Sequence, residues 1–159
     1  MSSGNPTIAH LLAAIQRGAT PLTLYGLTPA AAAWSLARLW TEARRPILLV
    51  TANAEVQTTF FRDLSFFLSD SVGAGPEGLM PGLLTFPGYE NLPFVELTPD
   101  LHTASARLEA AYTLSSRSGR PIIVATALAL TQPLPPRDRL AANIEYVVAG
   151  MELDREKFL

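Results

Sequence analysis

The sequence predicts an α/β protein built on a doubly wound, mostly parallel sheet of about four strands. Three observations predict it. Apolar segments of strand length (Leu22 to Tyr25, Pro46 to Thr51, Leu83 to Phe86 and Pro121 to Thr126) alternate with helix-length segments whose apolar residues recur every three or four positions. Two of those strands, Pro46-Ile47-Leu48-Leu49-Val50-Thr51 and Pro121-Ile122-Ile123-Val124-Ala125-Thr126, are apolar on both faces, the mark of a parallel sheet covered by helices. With 159 residues, 48% of them apolar, the chain can bury one real core and has little left for a second independent one. Any ligand site of such a fold lies at the carboxyl ends of the strands.

The elements follow in order. Asn5 and Pro6 read as cap and first helical residue, Ile8, Leu11, Leu12 and Ile15 recur at helical spacing, and Gly18 stands where a C-terminal glycine belongs. Leu22 to Tyr25 reads as a strand, and Pro29 to Ala43 as a helix carrying Trp34 and Trp40. After the strand Pro46 to Thr51, Asn53 caps a helix with Val56, Phe60, Leu64 and Phe67 on one stripe. Ser69 to Gly82, rich in Gly, Pro and Ser, reads as a surface loop before the strand Leu83 to Phe86. Beyond an irregular segment, Thr103 caps a helix with Leu108, Ala111, Tyr112 and Ser115 on one side, closed by Gly119. After the strand ending at Thr126, the three prolines of Thr131 to Pro136 break the pattern. Asn143 to Val148 then alternates like a half-exposed strand, and Met151 to Leu159 reads as a helix start capped at Asp154. The expected organisation is a first domain over residues 1–140 and the start of a second over 141–159.

Composition narrows the function. A net charge of -2 argues against a dominant nucleic-acid footprint. No apolar run reaches the length of a membrane span, and Met1 to Pro6 has no signal-peptide pattern. With no cysteine there is no disulfide or thiolate metal site, which is compatible with the cytosol. Catalytic patterns are absent too. His10 and His102 stand alone, with ordinary surface roles expected for both, and Glu90 and Glu96 straddle the irregular segment without forming a pair at catalytic spacing. A carboxylate held among Tyr89, Leu92, Pro93 and Phe94 more often binds backbone N–H groups than does acid–base work.

One segment has the outline of a phosphate-binding loop. Tyr25 to Ala33 can be laid on the pattern G-x-x-x-x-G-K-[ST] with Gly26 first, which puts Ala31, Ala32 and Ala33 where Gly, Lys and Ser/Thr belong. Alanine supplies neither the charge for the phosphates nor a ligand for Mg²⁺. Taken alone, the segment reads as an ordinary turn, with Thr28 as N-cap and Pro29 at N1 of an Ala-rich helix.

The irregular segment carries a resemblance. Phe86-Pro87-Gly88-Tyr89-Glu90-Asn91-Leu92-Pro93-Phe94, followed by Thr98-Pro99 and Arg107-Leu108, resembles the F-P-x-(aromatic)-E-x-L-P-(aromatic)... (S/T)-P... R-L signature of the bacterial transcription-repair coupling factor (Mfd) family. The match falls in that family's N-terminal module, which is similar to the excision-repair helicase subunit UvrB, and extends from about Leu22 to Leu159. Its signature residues here are Phe86, Pro87, Tyr89, Glu90, Leu92, Pro93, Phe94, Pro99 and Arg107. The resemblance also places a short helix at Ala127 to Leu130 and likens Met151 to Leu159 to the family's lead into the next domain. It departs at Phe94, where Tyr is frequent, and at Thr103, where Asp is frequent.

The resemblance implies a RecA-like, P-loop helicase fold whose P-loop is degenerate at Gly26, Ala31, Ala32 and Ala33. It implies a non-catalytic scaffold that helps recruit UvrA, chiefly through the second domain. Cofactors are not expected here. ATP and Mg would belong to helicase domains of the full-length parent, an ATP-dependent DNA translocase, and RNA polymerase and DNA would be met by other parts of it. UvrB's damage-probing hairpin has no room in the short proline-rich stretch between Tyr89 and Arg107. The expected location is the bacterial cytoplasm, with no membrane partner. The other class left open by the residues is a small doubly wound enzyme or nucleotide-binding domain, its ligand held at Thr51 to Asn53 and Thr126.

Overall fold

The computed structural model describes residues 7–72, 82–89, 100–116, 119–142 and 150. Along the chain they form α1 (Ile8–Gln16), α2 (Pro29–Ala43), β1 (Ile47–Thr51), α3 (Ala54–Val72), β2 (Leu83–Phe86), α4 (Leu101–Ser116), β3 (Ile122–Thr126), α5 (Ala127–Thr131) and α6 (Arg137–Ala142). The three strands make one parallel sheet in the order β1-β3-β2, with Ile47 opposite Ile122 and Leu83 opposite the same residue on its other side. Parallel neighbours need crossovers, and helices supply them.

Each face of the sheet has its own core. On one, α2 and α3 bring Ala33, Ala37, Trp40, Leu64 and Leu68 against Leu83, Ile122 and Val124. On the other, Ala110 of α4 and Ala129 of α5 cover Phe86, Ile123 and Ala125. Helices on both faces are the doubly wound arrangement expected, and the alternation of Ile122, Val124 with Ile123, Ala125 assigns each β3 residue to its layer. Every residue of β3 is buried, as its sequence predicts.

β1 departs from that expectation. Its burial alternates, and Leu48 and Val50 remain 55% and 48% exposed. The physical reason is position: among the described residues β1 is an edge strand, and α4 and α5 pack over β2 and β3. An apolar run therefore reported strand propensity correctly and burial only by half.

The segment Leu22 to Tyr25 is not a strand. It pairs with no other strand among the described residues, and its side chains are exposed. The sheet accordingly has three strands among the described residues, since alternating leucines supply propensity but no ladder partner. α2 follows as expected, with Thr28 Oγ1 accepting from Ala31 N at 3.3 Å and Pro29 at its first position.

Three helix boundaries also shift. α1 starts after Thr7, which is its N-cap, while Asn5 and Pro6 lie outside the described residues. α3 runs through Val72, past Ser69 where a loop was expected, and 73–81 lie outside the described residues. α4 is capped by Asp100, whose Oδ2 accepts from Thr103 N at 2.9 Å, so Thr103 is a first-turn residue and not the cap. Asp outranks Thr as an N-cap and stands at the position that satisfies a first-turn amide. α6 has no counterpart in the sequence reading, and the expected boundary between residues 140 and 141 falls within it. The expected strand Asn143 to Val148 and helix start Met151 to Leu159 lie outside the described residues.

Candidate functional site

Phe86 closes β2 and is buried in the core beside Ala110 of α4 and Ala129 of α5. There the chain leaves the sheet through Pro87, Gly88 and Tyr89, and Arg107 of α4 reaches up to hold it. The guanidinium donates from Nη1 to Pro87 O at 2.8 Å and to Gln132 Oε1 at 3.2 Å, and from Nη2 to Pro133 O at 3.4 Å. Its carbon lies 4.4 Å from the centre of the Phe86 ring and 4.5 Å from that of Tyr89. At 2% exposure, with no carboxylate among its described partners, the charge is stabilised by oriented carbonyls and two π faces.

Gln132 completes the clamp. Its Oε1 accepts from Tyr89 N at 2.8 Å and its Nε2 donates to Tyr89 O at 2.9 Å, reproducing a two-bond backbone pairing with a side-chain amide. Gly88 sits between, where a Cβ would come within 3.3 Å of Ala129 N and of the Leu128 side chain. The segment therefore packs close against α5, and any larger residue here would push Leu128 or the start of α5 by a few tenths of an ångström. Of the signature residues, Phe86, Pro87, Tyr89 and Arg107 are thus brought together. Glu90, Leu92, Pro93, Phe94 and Pro99, like Glu96, lie outside the described residues. Gln132 was missed by the sequence reading, where a glutamine in a proline-rich stretch carried no signal except that it stands at the end of a short helix.

Above this clamp, at the carboxyl ends of the strands, is an open cavity of about 790 Å³ lined by Asn53, Glu55, Tyr89, Asp100, Thr103 and Thr126 among others. This is where a doubly wound fold places a ligand, and several of its polar groups are already engaged. Asn53 Oδ1 accepts from Val56 N at 2.9 Å, and Thr126 Oγ1 from Ala129 N at 3.1 Å. Thr51, buried just below, donates its hydroxyl to Ala125 O at 3.1 Å. The Thr103 amide holds the Asp100 carboxyl below its ordinary pKa, so that carboxylate is ionised at neutral pH. Glu55 and Asp100 stand on its rim, and its described lining residues include no Lys or Arg.

The phosphate-loop outline fares no better as a site. Ala33 is fully buried in the α2–α3 core, and the amides of Ala31 and Ala32 are taken by Thr28 Oγ1 and Thr28 O. Gly26 has φ +77° in a bend that follows no strand of the sheet, since the Leu22 to Tyr25 segment before it is unpaired among the described residues. His10 belongs to the α1 cap, where its Nδ1 accepts from Thr7 N at 3.3 Å, and His102 is an exposed residue of the first turn of α4. Among the described residues no group of three or more His, Asp or Glu could hold a metal ion, and no helix is long and apolar enough to cross a membrane.

No family model matches the chain, and no solved structure does. Among curated proteins it is similar to a transcription-repair-coupling factor of Myxococcus xanthus, 33% identical over 131 residues that make up 82% of this chain and 11% of the relative. It is also similar to a transcription-repair-coupling factor of Rickettsia bellii (strain RML369-C), 25% identical over 120 residues, 74% of this chain and 10% of the relative. The chain spans about a tenth of the length of the curated relatives it matches.

Proposed function

This chain is a homologue of the transcription-repair-coupling factors over most of its length, and on that premise we propose that it is a non-catalytic scaffold of their UvrB-like module. It helps bring UvrA to RNA polymerase stalled at DNA damage. The observation that carries this reading is the homology itself. The geometry of the described signature residues supports it, because Phe86, Pro87, Tyr89 and Arg107 tie β2, the segment after it and α4 together through packing and backbone contacts. In this reading the fold is a RecA-like helicase domain without a working P-loop, ATP and Mg serve helicase domains of a longer parent, and that parent is an ATP-dependent DNA translocase. DNA and RNA polymerase are engaged by its other domains. Residues 1–140 form the first domain, and UvrA is held chiefly by a second domain that starts near residue 141.

Pull-down with UvrA tests the division of labour. The 159-residue chain is expected to retain little UvrA, and a chain extended through a complete second domain to retain it. Equal retention by both would move the contact onto this domain and overturn the assignment.

A nucleotide reading makes the opposite forecast about ATP. Because Ala31, Ala32 and Ala33 replace the residues that hold phosphate and Mg²⁺, and because the strand-end cavity is rimmed by carboxylates, Mg-ATP should give no measurable heat in a calorimetric titration. Micromolar binding would favour a small nucleotide-binding domain that uses its strand-end loops.

A further inference from the structure

The outer edge of β1 carries none of the features that close a sheet edge. Ile47 N donates to Pro121 O at 2.9 Å, so Ile47 turns its backbone groups toward β3. That direction alternates along a strand, and Leu48 and Val50 therefore turn their N–H and C=O groups away from β3. Among the described residues no strand lies on that side. The side chains of the same two residues are the exposed ones of β1, although the β3 residues they pair with, Ile123 and Ala125, are buried. β2, the other edge, has no exposed residue and is followed at once by Pro87. Natural edges are blunted by a lysine, a proline, a bulge or an inward charge. Ile47-Leu48-Leu49-Val50-Thr51 has no such residue, and its register with β3 runs without a bulge.

We propose that β1 pairs antiparallel with β1 of a second copy of this chain about a two-fold axis, joining the two sheets edge to edge. The strand's own symmetry selects a second copy. Its outward groups belong to Leu48 and Val50, which stand on either side of Leu49. Antiparallel pairing with Leu49 facing its own counterpart sets Leu48 opposite Val50 of the second copy, so each outward N–H meets an outward C=O. The same register lays those side chains against each other on one face, as an apolar cross-strand pair, and a slip of one residue loses both matches. Charge agrees with the orientation. Arg44 and Arg45 precede β1 and Glu55 follows it in the first turn of α3, all exposed and outside the ion pairs formed among the described residues. Antiparallel apposition lays the basic end of one strand beside the acidic end of the other, whereas parallel apposition sets like beside like. Such a contact is isologous and closes at two copies. It is independent of the scaffold reading.

Sedimentation equilibrium of the 159-residue chain into the high micromolar range tests it, since a short edge contact should bind with micromolar affinity. The mass is expected to rise from 17.1 kDa toward twice that value and stop there. Val50→Lys places a charge on the exposed side of the edge, and should weaken association about tenfold or more with a nearly unchanged thermal melt. Val50→Pro removes an N–H that points away from β3, a position where edge strands accept proline, and should do the same. Arg45→Glu should weaken it several-fold by setting like charges together. A chain that stays monomeric throughout, or a dimer that survives both changes at Val50, would overturn the proposal. So would a monomer whose Leu48 and Val50 amides are protected from hydrogen exchange, which would show that the chain's own residues close the edge.

Discussion

Replacing Arg107 by alanine is expected to lower the stability of the chain by about 3–5 kcal/mol, the range for removing one member of a buried, charged hydrogen-bonded cluster. The substitution leaves Pro87 O, Pro133 O and part of Gln132 without their donor, each stranded acceptor costing about 1–3 kcal/mol if water cannot reach it. It also opens a void between the Phe86 and Tyr89 rings. These losses overlap and do not add. Arg107→Lys should recover little, because an ammonium cannot fork to three acceptors while lying flat between two rings. Urea denaturation followed by circular dichroism measures both variants. A loss below about 1 kcal/mol for alanine would mean that desolvating the charge offsets nearly everything its contacts contribute.

The second large effect is at Trp40. Its side chain is 9% exposed, fills the α2–α3 core and ties α2 to the start of β3 through the bond to Arg120 O. Trp40→Ala should therefore cost about 3–5 kcal/mol, the usual range for emptying an aromatic site. Trp40→Phe separates the two roles, since it keeps most of the filling and removes the indole donor. It should cost about 1–3 kcal/mol, as expected for one unmet acceptor in a part-buried setting. Equal losses for the two variants in a thermal melt would show that the hydrogen bond, not the volume, dominates.

Local signals were the legible part of this fold. Thr28-Pro29 and Asn53 announced their helices because a cap is satisfied within three residues, and Ile122 to Thr126 announced a central strand because it is apolar at every position before its threonine. What failed depended on distant partners. Leu22 to Tyr25 looked like a strand, but no residue of the segment says whether a neighbour will be there to pair with it. α6 was hidden behind Pro135-Pro136, although a proline followed by Arg-Asp-Arg-Leu-Ala-Ala is also how a helix begins, and Leu140 is buried in the structure. At the site, Phe86, Pro87, Tyr89 and Arg107 were singled out by their pattern, and the structure brings these four together. Gln132 was not, because its partners, Tyr89 and Arg107, are remote in sequence and an amide pairs with either as readily as with water.

The strand order bears on how the chain acquires its structure during synthesis. β1 and β2 are made first, yet neither touches the other in the ladder, and among the described residues both pair only with β3. Until Ile122 to Thr126 has left the ribosome, the sheet of the described residues cannot form, and the α2–α3 layer must wait with Leu64 and Leu68 lacking the strand they rest on. Folding is thereby postponed until nearly all of the described chain is in hand, and the leucine-rich β1 spends that interval as the segment most open to mispairing with another nascent chain.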